Sequence, residues 1–238
     1  MNSAVWAPLL EDLAPRFRIT LLELPGHGDS GYDSSRPDLE AWTAACLAAA
    51  PARAHWLGWS LGGQIAQLAA LQRPGRVDRL VLLASTPRFV QGDGWPHAMS
   101  ENTLRQFAAT LRRNHRQTLA RFLALQVQGD ESARETLRLL RRELAARPEP
   151  DDLALEHGLE LLLTTDLRPR LAQLRRPSLW LLGQRDTLTP AAVAPELEAL
   201  AIPHSRIRVI DGGAHALFLS HPAATLAQLV PFLEGRDE

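Results

Sequence analysis

The stretch Trp56-Leu57-Gly58-Trp59-Ser60-Leu61-Gly62-Gly63 decides the fold. Its first half, with His55, is a short and mostly apolar run of the kind that forms a strand, and residues 61–72 continue as a helical pattern. Between them the pattern G-x-S-x-G sets Ser60 on a sharp turn from strand to helix. Such a turn lifts the hydroxyl above the sheet, and glycines at 58 and 62 are expected to leave room for the crowded backbone. Leu61 opens the helix, so its N–H lacks an intrahelical partner and points to where negative charge can develop. The bland alternative is a glycine-rich turn with an incidental serine; the strand before it and the helix after it argue against that.

Further short apolar runs are Ile19-Thr20-Leu21-Leu22-Glu23-Leu24, Leu80-Val81-Leu82-Leu83-Ala84, Leu179-Trp180-Leu181-Leu182 and Ile207-Arg208-Val209-Ile210. Helical patterns over 39–50, 191–200 and 223–233 alternate with them. That alternation predicts an α/β fold, a mostly parallel sheet flanked by helices. The rhythm breaks once, between Ala84 and Leu179. Leu104, Phe107 and Leu111, then Leu119, Phe122 and Leu123, then Leu137, Leu140 and Leu144 recur there at helical spacing. The chain therefore reads as one domain, 1–238, with a helical lid inserted over 95–169.

Composition narrows the function. The chain has 238 residues, 45% of them hydrophobic and 22% charged, which suits one globular domain. All 26 basic residues are arginine and 27 residues are acidic, a formal net charge of -1 that argues against general nucleic-acid binding. Residues 101–147 nevertheless hold ten arginines and five acids, so a basic middle sits on an acidic body. No apolar run approaches the roughly 18 residues that cross a bilayer, and the first residues lack a signal-peptide pattern. The single cysteine, Cys46, rules out an internal disulfide, so a reduced, cytoplasmic protein without membrane attachment is expected. No metal or cofactor signature is present: there is no H-E-x-x-H, no cysteine pair and no P-loop. Pro25-Gly26-His27-Gly28-Asp29-Ser30 is a loop after a strand-like run, not a dinucleotide fingerprint.

A reactive serine needs a base, and the base needs an orienting acid. Of eight histidines, His215 sits best, in the loop Asp211-Gly212-Gly213-Ala214-His215-Ala216 after the last strand-like run. His27 and His221 also lie in loops, but the first precedes the serine and the second starts the final helix. His55 reads as a strand-edge side chain, and His97, His115 and His157 as solvent-facing residues of the insertion. For the acid, Asp186 follows the fourth recognised strand; Asp211, four residues before His215, is more suited to shaping its own turn. The order Ser60…Asp186…His215 is that of an α/β-hydrolase.

With those residues in place, the chain resembles the pimeloyl-[acyl-carrier protein] methyl ester esterases of biotin synthesis. The likeness rests on Trp56 to Gly63, Arg121-Phe122-Leu123-Ala124-Leu125-Gln126, Thr165-Asp166-Leu167-Arg168 and Ala214-His215-Ala216, and runs from about Val5 to the C-terminus. It implies an α/β-hydrolase in which Ser60 is the nucleophile, Asp186 the acid, His215 the base and Leu61 an oxyanion donor. It also implies that Trp59 and Phe122, Leu123, Ala124, Leu125 and Gln126 line the acyl channel. The implied partner is an acyl-carrier protein bearing the pimeloyl methyl ester, met by the lid arginines Arg121, Arg134 and Arg138, with Arg116 and Arg142 close by. One family arginine position is Gln117 here, with Arg116 a substitute. No cofactor is implied, and a monomer is expected.

The departure lies at the start. Family members carry roughly 20 further residues before the segment that resembles Met1-Asn2-Ser3-Ala4-Val5-Trp6, including a His-Gly-Trp-like loop that supplies a second oxyanion donor. Without that part, residues 19–24 are expected to form an exposed sheet edge, and an internal start codon is the expected cause. Two alternatives follow: a promiscuous short-chain carboxylesterase with the same three residues, and a catalytically silent hydrolase-like binding protein.

Overall fold

The computed structural model describes residues 2–145 and 147–236, apart from the side chains of Arg112, His115 and Arg116. Four strands, β1 (Ala54–Trp59), β2 (Val77–Leu83), β3 (Ser178–Gly183) and β4 (Ser205–Ile210), form a parallel sheet in the order β1-β2-β3-β4. Leu57 lies beside Val81, Leu82 beside Trp180, and Trp180 beside Ile207.

The strand side chains alternate between two cores, as the period of two requires. Leu80, Leu82, Trp180 and Leu182 face one layer, built with α2 (Leu39–Ala49) and α3 (Leu61–Gln72). Val81, Leu83, Leu179 and Leu181 face the other. Apolar residues of α1 (Ala7–Leu13), α9 (Leu217–Ser220) and α10 (Pro222–Glu234) meet them there. The helix after β3, α8 (Ala194–Ala199), is shorter than the sequence pattern suggested, because its first turn is 3-10.

Between β2 and β3 the chain forms α4 (Glu101–Arg113), α5 (His115–Leu125), α6 (Ala133–Ala145) and α7 (Asp152–Thr164). Leu104 and Leu111 of α4 and Leu159, Leu162 and Leu163 of α7 share a separate small core with Phe89, Val90 and Met99. The insertion is not one packed unit. Leu140 of α6 is fully buried in the body core around Phe218, with Leu139 and Leu144 against it.

One expected strand is absent. Residues 19–24 run without any ladder, and the described sheet edge is β1. A strand needs a neighbour to exchange hydrogen bonds, and Leu22 and Leu24 instead face Trp56 and Leu57 of β1 across a cavity. The edge expected at 19–24 therefore lies at residues 54–59 on this side. On the far edge, β4 exposes Arg208 and Val209.

Candidate active site

The turn from β1 into α3 builds the site. Ser60 has φ 53° and ψ -125°, a backbone that non-glycine residues rarely adopt and that costs of order 1–3 kcal/mol. Its N–H donates to the Leu83 carbonyl at 3.0 Å, tying the turn to β2. Two glycines make the turn possible, though not the expected pair. A side chain on Gly58 would fall into the backbone of Gly62, and one on Gly63 would strike Ser85, whereas Gly62 faces open space. Close packing of strand on helix, rather than the turn itself, imposes those glycines.

His215 and Asp186 come together from the loops after β4 and β3. Nδ1 of His215 lies 2.8 Å from Oδ2 of Asp186, and both side chains are almost fully buried. Oδ1 of Asp186 accepts the N–H groups of Leu188 at 2.8 Å and Thr189 at 2.9 Å. With its carboxylate held on both oxygens, Asp186 accepts the hydrogen bond donated by Nδ1–H of His215, which keeps the proton on Nδ1 and leaves Nε2 with a lone pair. Asp211 is exposed, and the carboxylate that accepts from His215 is that of Asp186.

Ser60 and His215 line one cavity of about 230 Å³, roofed by Phe107, Phe122 and Leu125 of the insertion, with Arg121 and Thr110 also on its wall. A second cavity of about 200 Å³ also touches Ser60. Trp59, Leu61, Phe122 and Gln126 line it, as does His27. Of the expected channel residues, Leu123 packs on the body core and Ala124 is exposed, and neither lines these cavities. Gln126 is buried and bonds back to the Phe122 carbonyl at 3.0 Å.

Two further groups in the second cavity are chemically quiet. Burial pushes the His27 imidazole down to about 3, and its Nδ1 donates to the Pro25 carbonyl at 3.0 Å, so it is neutral with a fixed tautomer. Burial pushes the Cys46 thiol up to about 11, which removes it as a rival nucleophile. His221 stands at the start of α10 and His97 pairs with Glu196, and neither lines the cavities at Ser60.

The basic residues divide. Arg134 and Arg138 are exposed on α6, as is Arg142, which pairs with Glu143 at 2.7 Å. The side chain of Arg116 lies outside the described residues. Three features lie beyond the sequence reading: the burial of His27, the bond from Trp59 Nε1 to the His215 carbonyl, and the bond from Arg185 to the Gly129 carbonyl of the insertion. Only the adjacency of Trp59 to Ser60 and of Arg185 to Asp186 could have signalled them.

A parallel sheet between helices, with a serine on a strained strand–helix turn that shares a cavity with the histidine of a buried aspartate–histidine pair, is the arrangement of an α/β-hydrolase. The profile of the alpha/beta hydrolase fold matches residues 1–222. The chain belongs to the family of curated relatives named pimeloyl-[acyl-carrier protein] methyl ester esterase. The Xanthomonas campestris protein is 50% identical over 93% of this chain and 86% of its own length. The one from Edwardsiella ictaluri is 44% identical over 100% of this chain and 91% of its own length. Among solved structures, an esterase from Exiguobacterium antarcticum superposes with a TM-score of 0.88 at 20% identity, covering 98% of this chain and 88% of the other.

Proposed function

We propose that the chain hydrolyses the methyl ester of a pimeloyl group carried on acyl-carrier protein, a step of biotin synthesis, with Ser60 as nucleophile. The observation that carries the reading is the buried 2.8 Å bond from His215 to Asp186, with His215 on the same cavity as a strained Ser60. The relatives' shared name supplies the substrate.

Nε2 of His215 takes the hydroxyl proton as Ser60 Oγ attacks the ester carbonyl. The Leu61 N–H, free at the start of α3, faces the developing oxyanion, and the helix dipole adds to it. His215 returns its proton to the departing methoxide, and methanol leaves an acyl-serine. Water, deprotonated by His215, then frees the carboxylic acid and restores Ser60. Asp186 holds the imidazole tautomer throughout. Each step uses a group of this chain or water.

Phe122 and Leu125 form the apolar wall for the acyl chain, and Arg121 stands at the same cavity. Arg134 and Arg138, with Arg142 and Arg116, are the docking cations for an acidic carrier. One chain holds every reacting group, so a monomer suffices. The test is methanol release from pimeloyl-carrier methyl ester, with rescue of biotin-free growth in a strain lacking the esterase. The wild-type chain is expected to do both and Ser60→Ala neither. Turnover of p-nitrophenyl butyrate without turnover of the carrier ester would leave a generalist esterase, and turnover of neither would leave a silent binding protein.

A further inference from the structure

We infer that Arg185 is a positioning residue, which fastens the helical insertion to the loop carrying Asp186 and so keeps the acid and base in line. The inference rests on the reading of Ser60, Asp186 and His215 as the reacting set.

Arg185 immediately precedes Asp186, and its backbone N–H donates to the Gly213 carbonyl at 2.8 Å. That bond joins the acid loop to the base loop. Its guanidinium reaches the insertion, where it donates to the Gly129 carbonyl at 3.1 Å and to Oε1 of Glu131 at 3.1 Å. Gly129 has φ +88°, and a Cβ there would sit 3.2 Å from the Arg185 Cβ and 3.3 Å from its carbonyl oxygen. The turn after α5 is thus pressed on Arg185 about as closely as glycine permits.

The same turn grips the base loop. The Gln126 carbonyl accepts the N–H of Ala216, the residue after His215, at 2.9 Å. Residues 126–131 therefore bond to the neighbour of the acid and to the neighbour of the base. The two reacting side chains meet through one hydrogen bond, from loops on different strands. A displacement of about 1 Å at such a pair can cost as much as 10²-fold in rate.

The contact is too exposed to matter much for stability. The Arg185 side chain is 42% and that of Glu131 82% accessible, so the ion pair itself contributes little. A residue that is weak in folding and strong in turnover is what the geometry describes.

The experiment uses the full chain with Arg185→Met, Arg185→Lys and Glu131→Gln, assayed on p-nitrophenyl butyrate and on the carrier-bound methyl ester, beside thermal unfolding. Arg185→Met is expected to lower kcat roughly tenfold on both esters, with KM within about twofold and Tm within about 2 °C. Arg185→Lys should recover most of the loss, because an ammonium can still donate to the Gly129 carbonyl, and Glu131→Gln should stay near wild type. Unchanged kcat in Arg185→Met would overturn the inference. So would a loss confined to the carrier-bound ester, which would make Arg185 a docking contact, or a lysine variant no better than methionine. Full activity in a parallel Ser60→Ala variant would instead remove the triad reading on which it rests.

Discussion

The indole N–H of Trp59 donates to the backbone carbonyl of His215 at 2.9 Å, so the residue before Ser60 holds the residue proposed as its base. The two rings lie 5.6 Å apart, and Phe218 packs edge-on against the indole at 5.0 Å. Trp59→Phe keeps an aromatic ring there and deletes the donor along with the second ring of the indole. A buried carbonyl left unpaired costs about 1–3 kcal/mol. Steady-state kinetics on a small ester should therefore show kcat reduced about tenfold at unchanged KM. A raised KM at constant kcat would make Trp59 a wall for substrate and nothing more.

Ser60→Ala, His215→Ala and Asp186→Asn should each lower turnover by about 10³-fold or more, and double variants should lose little beyond the worse single one. Asp211→Asn should stay near wild type, because Asp211 is exposed and the bond to His215 comes from Asp186. Loss of activity in Asp211→Asn with Asp186→Asn active would exchange the two acids.

Much of this arrangement is legible in the chain because its signals are local. The helix Leu61–Gln72 coincides with the helical pattern over 61–72, since a serine turn and an apolar pattern bound it. Asp186 and His215, proposed from motif and order with Ser60, meet in a 2.8 Å contact, and Ser60 lines one cavity with His215. What the sequence could not give depends on partners far along the chain. Residues 19–24 look like a strand, but a strand exists only with a ladder neighbour. The steric need falls on Gly63 rather than Gly62 because Ser85, two residues after β2, packs there. Leu140 had the spacing of a lid residue, yet α6 buries it against the body. The Arg185 contact joins positions 54 to 56 residues apart, beyond any local pattern.

The stretch Thr165-Asp166-Leu167-Arg168 acquires a physical reason at the end of the insertion. Asp166 accepts from Arg168 at 2.7 Å and from Arg88 at 3.1 Å, and Arg168 also donates to the Asp93 carbonyl at 2.7 Å. Both ends of the insertion meet in this cluster. Burial pushes the Asp166 carboxyl up, but the bonds from Arg168 and Arg88 outweigh it and hold the group below the ordinary carboxylate range. A depressed folded value means stability that is present above the unfolded carboxyl's range, near 3.9, and is lost as pH falls through the folded value. Asp166→Asn should therefore lower stability by about 1 kcal/mol in urea titrations at neutral pH. The difference from wild type should shrink once the pH drops below about 4. An equal difference at pH 7 and pH 3 would assign the loss to packing.

The arginines of α6 give the reading of a carrier-bound substrate its sharpest test. Arg134, Arg138 and Arg142 stand at i, i+4 and i+8, on the exposed side of a helix whose Leu140 is buried in the body. Like charges on one face repel, which water and salt tolerate, so the face needs no partner to exist. An acidic carrier would convert that repulsion into attraction and raise the association rate in a salt-dependent way. Arg142 is already engaged by Glu143, which leaves Arg134 and Arg138 as the cations to reverse. The double variant Arg134→Glu with Arg138→Glu should lower kcat/KM for the carrier-bound ester at least tenfold at low ionic strength, roughly two like-signed changes across one interface. Its kcat/KM for p-nitrophenyl butyrate should stay near wild type, since no protein partner is then steered. Added salt should narrow the gap on the carrier ester by slowing the wild-type chain more than the variant. Equal losses on both esters would mean that α6 was damaged rather than a docking face removed, and the carrier assignment of these arginines would fall.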